Sequence, residues 1–239
     1  MKMNENNKVR LVFFPYSGGG ASVYKRWERY FNDSIELYYV SLPGREARIK
    51  EPQLGCLSDY TEHILSQLLN LEPRKTFLFG HSIGGMLAFS VAQELEKMNE
   101  NFVKGVFISS FHSPQIFKKS ILEQGENEDE LIVHLKEIGG TPREIINNDK
   151  MLRLILPILK SDLKILHCVN QIIDPIVSSL ITYTGCHDSI APSEDVTGWN
   201  KFTKSEYHHK EFKGSHFFLW ESETEVVNDI KKRIYRELI

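Results

Sequence analysis

Apolar runs and amphipathic stretches take turns along the first half of the chain. Val9 to Pro15 (V-R-L-V-F-F-P), Ile35 to Ser41, Thr76 to Phe79 and Val103 to Ser109 are short and rich in β-branched and aromatic residues, which predicts buried strands. Helices are predicted at Ser22 to Phe31, at Leu57 to Leu71, and from Gly84 onward, where Leu87, Val91 and Leu95 share one face. Strands that alternate with helices of this length predict a mostly parallel α/β sheet covered on both faces. The alternation stops near Phe111. From His112 to about Cys168 the period is helical, with an acidic break at Glu123 to Glu130, read as solvated loop, and a turn at Gly139 to Pro142. Helices inserted between two strands predict a lid, at about 112–170. Within it the apolar stretch Met151 to Leu166 suits either an acyl pocket or plain packing of lid onto body. Strand pattern resumes at Ile176 to Thr184 and Tyr207 to Phe212, and a last helix is predicted from Ser222, where S-E-T-E has capping-box spacing to Glu225.

The predicted third strand runs straight into the third helix through Gly80-His81-Ser82-Ile83-Gly84, a G-x-S-x-G pattern. A turn this tight forces its serine into a strained, exposed conformation, and flanking glycines leave room for it. Ser82 is therefore the candidate nucleophile. The amide of Ile83, at the positive end of the helix, is a candidate oxyanion donor. Tyr16-Ser17-Gly18-Gly19-Gly20 follows the first strand but lacks the lysine and the spacing of a phosphate loop. It suits the second oxyanion donor instead, the amide of Tyr16 or of Ser17.

An acid just beyond a late strand, on the same sheet edge as Ser82, completes such a site. Asp188 is the choice, with Asp195 and Asp174 as alternatives. His216 follows the last predicted strand in a glycine-containing loop, whereas His208 and His209 alternate within that strand and are expected to face solvent. The order Ser82, Asp188, His216 is the serine, acid, histidine order of the α/β-hydrolase fold.

A length of 239 residues suits one domain, 1–239, with a full core. A net charge of -3 argues against a nucleic-acid partner. No run approaches bilayer-spanning length and the first ten residues lack an apolar signal core, so a cytoplasmic protein without membrane association is expected. Cys56, Cys168 and Cys186 have no metal-ligand spacing, which predicts buried, reduced thiols. Leu42 to Pro52, carrying Arg45, Arg48 and Lys50, predicts a solvated loop.

These blocks together resemble the type II thioesterases of nonribosomal peptide and polyketide assembly lines. The likeness spans nearly the whole chain: F-F-P-Y-S-G-G from Phe13, L-P-G-R-E from Leu42, G-H-S-I-G-G from Gly80, I-G-G-T-P from Ile138, L-P-I-L-K-S-D from Leu156, G-C-H-D from Gly185 and G-S-H-F-F-L from Gly214. The family's serine, aspartate and histidine fall on Ser82, Asp188 and His216. The resemblance implies hydrolysis of acyl groups from the phosphopantetheine arm of acyl or peptidyl carrier proteins, with no metal or other cofactor; a monomer is expected. Carrier proteins of this kind tend to be acidic, so a basic rim of Lys118, Lys119 and Arg45 is an expected docking surface. A medium-chain fatty acyl thioesterase, a small-molecule carboxylesterase and a non-catalytic module on the same fold are the alternatives.

Overall fold

Six strands, β1 (Val9–Phe14), β2 (Ile35–Tyr39), β3 (Thr76–His81), β4 (Val103–Ser109), β5 (Ser179–Gly185) and β6 (Tyr207–Phe212), pair in the order β2-β1-β3-β4-β5-β6. Every pairing is parallel. The computed structural model describes residues 8–116, 128–139, 143–171 and 174–236.

The strands read as continuous apolar runs because both of their faces are covered. Alternate residues divide between two cores. Val12, Phe14, Leu78, Val106, Ile108 and Leu180 face α1 (Leu57–Leu68) and α2 (Ile83–Lys97). Leu11, Phe13, Phe77, Phe79, Phe107 and Tyr183 face a run of 3-10 turns, Ala21–Tyr30, and the last helix. The 3-10 winding departs from the expected α-helix. Its two inward rings, Tyr24 and Trp27, stand three residues apart, a spacing that three residues per turn brings onto one line; Tyr24 stacks on Phe13 and Trp27 meets Phe79 edge to face.

The chain reverses direction beside β1: β2 lies on one side of it and β3 on the other. The loops leaving the carboxyl ends of β1 and β3 therefore diverge, and a crevice opens between them. The insertion between β4 and β5 lies over this edge. It contains α3 (Glu128–Ile138) and α4 (Asp149–Leu163), followed by 3-10 turns over Lys164–Gln171. Leu131, Leu135, Leu156 and Leu159 make a small core of their own between the two helices.

Four local expectations are corrected. Glu128 and Asp129 are not loop but part of α3, and Glu128 pairs with Lys160 of α4 at 2.8 Å. Strand β5 begins at Ser179, three residues later than predicted, because Ile176 is spent on an isolated bridge to Thr203. Ser222 stands before the last helix, α5 (Glu223–Arg236), but its hydroxyl donates to the Lys213 carbonyl and its amide to Phe218 O, so neither bond of the expected box with Glu225 is made. Cys186 is exposed and Cys56 half-buried, neither in a core, because both stand at element ends. The side chain of Cys168 lies outside the described residues, as do Lys118, Lys119 and most of the acidic block. Among the described residues no helix is long and apolar enough to cross a membrane.

Candidate active site

Ser82 joins β3 to α2 at φ +53° and ψ −130°, a region that costs a non-glycine residue about 1–3 kcal/mol. Two hydrogen bonds hold it there. Its amide donates to Ser109 O at 2.7 Å and its carbonyl accepts from the Gly85 amide at 2.9 Å. The flanking glycines serve close approach rather than handedness. A Cβ on Gly80 would stand 2.0 Å from Gly84 O, and one on Gly84 would stand 2.5 Å from Phe14 O. The strand, the helix and the end of β1 are thus packed backbone to backbone around the serine.

The loops after β5 and β6 are laced together, and this brings together two residues 28 apart in sequence. The amides of Cys186 and His187 donate to Phe212 O and Gly214 O, and a Cβ on Gly185 would stand 2.2 Å from Ser215 O. Across this seam His216 Nδ1 lies 3.0 Å from Asp188 Oδ2 and 3.1 Å from Oδ1. Both residues are buried. Burial pushes the Asp188 carboxyl up. The hydrogen bond and charge of His216, the Ser110 hydroxyl and the Ala191 amide outweigh burial and hold it at about 2. The Asp188 Oδ1 atom also accepts from the Ile190 and Ala191 amides at 2.9 and 3.0 Å. An ionised carboxylate cannot donate, so Nδ1 carries the proton and Nε2 is left with its lone pair.

Ser82 and His216 line one cavity of about 130 Å³, with Tyr16, Ser17 and Ile83 around the same opening. Ser82 Oγ is not hydrogen-bonded to His216 among the described residues. The amides of Tyr16, Ser17 and Ile83 likewise find no protein acceptor there, which leaves them able to meet an anion. The far wall is apolar: Phe111, Ile190, and from the insertion Leu131, Leu135, Leu159, Leu163 and Leu166. Met151 and Leu154, on the outer face of α4, are exposed. The apolar stretch therefore divides between cavity wall, packing and surface. Among the described residues no group of three or more His, Cys, Asp or Glu side chains could hold a metal ion.

The alternatives lie elsewhere. The Asp195 carboxylate is 3.7 Å from His112 Nε2, not beside His216. Asp174 is exposed, on the far side of β5 in sequence from the site. His208 pairs with Glu206 at the surface. His209 departs from expectation. It is more than half buried, between Thr182 Oγ1 and Ser193 Oγ at 2.9 Å each, because Ser193 and Thr182 cover that edge of β6. Burial lowers its pKa.

Other residues emerge only in three dimensions. His81, the second residue of the pentapeptide, is fully buried with its ring 4.9 Å from that of His216. Burial first, then the neighbouring His216, drives its pKa well down. His112 lines the cavity and is buried. Arg45 is neither on a solvated loop nor on a basic rim. It is 4% exposed and paired with Asp162 of α4, because that carboxylate is the partner that makes burying it possible.

Comparison with known proteins agrees with this architecture. The gramicidin S biosynthesis protein GrsT of Aneurinibacillus migulanus is 30% identical over 234 residues, 97% of this chain and 91% of its own. The medium-chain S-acyl fatty acid synthase thioesterase of Rattus norvegicus is 29% identical over 97% of this chain and 88% of its own. Among solved structures, ClbQ from the colibactin NRPS/PKS pathway superposes with a TM-score of 0.86, covering 97% of this chain and 98% of that one at 23% identity. These neighbours have the α/β-hydrolase fold. A family model described as "Thioesterase domain" matches residues 9–234, and the chain belongs to that thioesterase family.

Proposed function

We propose that this protein is a type II, editing thioesterase that removes acyl groups from the phosphopantetheine arm of acyl or peptidyl carrier proteins of an assembly line, with Ser82, His216 and Asp188 as its triad. The observation that carries this reading is the shared cavity. A strained serine at a helix start, a histidine already paired with an ionised buried acid, and an apolar wall all meet in it.

His216 Nε2 takes the Ser82 proton as Oγ attacks the thioester carbonyl, and Asp188 fixes the tautomer and stabilises the imidazolium. The amides of Ile83 and of Tyr16 or Ser17 receive the oxyanion. The C–S bond then breaks. A thiol, with a pKa of about 8.5, leaves with little acid assistance and takes up the proton from His216. Water, deprotonated by the same imidazole, attacks the acyl-serine and releases the carboxylic acid with Ser82 regenerated. No step requires a metal or redox cofactor. We infer a cytoplasmic enzyme, a reading supported by its likeness to biosynthetic relatives such as GrsT.

Cavity size bears on the acyl group. About 130 Å³ is close to the ~150 Å³ of a cavity that takes up benzene, which favours short acyl groups and so the editing role. The likeness to the rat fatty acyl thioesterase and the leucine-lined wall favour medium chains as the second reading. Hydrolysis of carrier protein loaded with acetyl, hexanoyl and dodecanoyl groups separates the two. Fastest release of acetyl supports editing, and fastest release of dodecanoyl contradicts it.

A further inference from the structure

Two of the sequence blocks that the proposed chemistry leaves unused, L-P-G-R-E and L-P-I-L-K-S-D, meet inside the protein. Arg45 from the first and Asp162 from the second form a bidentate pair, Nη2 to Oδ1 at 2.7 Å and Nη1 to Oδ2 at 3.0 Å. The two residues are 4% and 3% exposed. Tyr60 Oη donates to Asp162 Oδ1 at 2.7 Å. The remaining bonds reach out of the pair to one place. Asp162 Oδ2 accepts from the Gly18 amide at 2.8 Å, and Arg45 Nη1 donates to Gly19 O at 2.9 Å.

Stability alone does not account for this arrangement. Replacing a buried ion pair by apolar groups of similar size is often neutral or stabilising, and here Arg45 Nε is buried without a partner among the described residues. What the pair does is grip both sides of one turn. Gly18 sits at φ +75° against Leu159 of α4, where an added Cβ would stand 2.7 Å from Leu159 Cδ2. The turn closes on itself through the Gly19 amide and Tyr16 O at 2.9 Å. The amides of Tyr16 and Ser17, the candidate second oxyanion donors, belong to this same turn.

We infer that Asp162, held by Arg45 and Tyr60, is a positioning residue that fixes the turn Tyr16 to Gly19 and with it the second oxyanion donor. Asp162 belongs to the insertion and the turn to the sheet, so the placement of the oxyanion donor depends on the seating of α4. The inference rests on the triad reading above. Donors of this kind act only when aimed at where charge develops, and losing one costs about 10²–10³ in kcat.

The test uses the whole protein and a small free thioester, acetyl-N-acetylcysteamine, so that carrier docking plays no part. Arg45→Met combined with Asp162→Leu removes both charges at near-constant volume. Melting temperature, kcat and KM are measured for this variant, for wild type and for Ser82→Ala. A fall in kcat of tenfold or more, with KM within threefold and the melting temperature retained, is expected. A smaller fall in kcat, with Ser82→Ala inactive, overturns the positioning role and leaves the triad standing. An active Ser82→Ala instead overturns the triad. If the double variant does not fold, Asp162→Asn decides by the same kcat threshold, since it keeps the side-chain shape and one acceptor oxygen but loses the charge that grips Arg45.

Discussion

The carboxylate of Asp188 and the imidazole of His216 meet edge-on between two laced loops, Nδ1 to Oδ2 at 3.0 Å, while the nearby Asp195 faces a different histidine, His112, at 3.7 Å. The two acids are therefore assigned different partners before any chemistry begins. Asp188→Asn would turn an acceptor into a donor on one side and favour the wrong tautomer of His216. A loss of roughly 10³–10⁴ in kcat is expected. Asp195→Asn should cost less than tenfold. Steady-state thioester hydrolysis by the two variants checks this, and equal losses would contradict the pairing.

Acid stability follows from the same carboxylate. Its pKa is lowered from 3.8 to about 2 on folding. A depressed carboxylate contributes stability that is fully present above its unfolded value and lost as pH falls toward the folded one. The window is thus pH 4 down to pH 2, and the contribution is on the order of 2 kcal/mol. Urea unfolding at pH 6 and pH 3 should show Asp188→Asn destabilised relative to wild type more at pH 6 than at pH 3. A gap that does not narrow would contradict the account.

Backbone crowding at the elbow gives a stability prediction with its own control. Gly80→Ala places a methyl 2.0 Å from a carbonyl oxygen that cannot move without shifting α2. Destabilisation of roughly 2 kcal/mol or more is expected, as for other overpacked sites. Gly55→Ala meets only Asp59 Oδ2 at 3.4 Å and should stay within about 0.5 kcal/mol. Chemical denaturation of both variants measures the contrast.

Leu135 of α3 is buried and lines the cavity, so Leu135→Trp should shorten the space behind Ser82. One methylene in an apolar pocket is worth about 10–200-fold in discrimination. The variant should therefore lose at least tenfold in kcat/KM on a hexanoyl thioester and less than threefold on the acetyl one. Loss on both alike would mean that the acyl chain does not extend toward α3.

The sheet and the elbow were legible in the sequence because their signals are local: a continuous apolar run, a glycine two residues to either side of a serine, a strand that becomes a helix without a break. The meeting of Asp188 with His216 was legible because each lies in the loop just after a strand, and parallel strands deliver their ends to one edge. Arg45 was misread for the opposite reason. Its burial depends on a carboxylate 117 residues away, and no local pattern distinguishes a paired arginine from a solvated one. The same holds for His209, whose partners Thr182 and Ser193 come from the neighbouring strand β5 and from the short helical turn Ser193–Val196 that precedes β6. Had Arg45 been a docking residue, its reversal would spare small substrates. Buried beneath the turn of Gly18 and Gly19, Arg45→Glu should slow hydrolysis of free and carrier-bound acetyl thioesters equally.

Ser82 carries the central claim, and one comparison tests it most directly: release of acetate from acetyl-loaded carrier protein by wild type and by Ser82→Ala, each shown by circular dichroism to be folded. The account predicts turnover by wild type and a fall of roughly 10⁴-fold or more in the alanine variant, to the level that binding alone sustains. A folded Ser82→Ala protein that releases acetate within tenfold of the wild-type rate would contradict it.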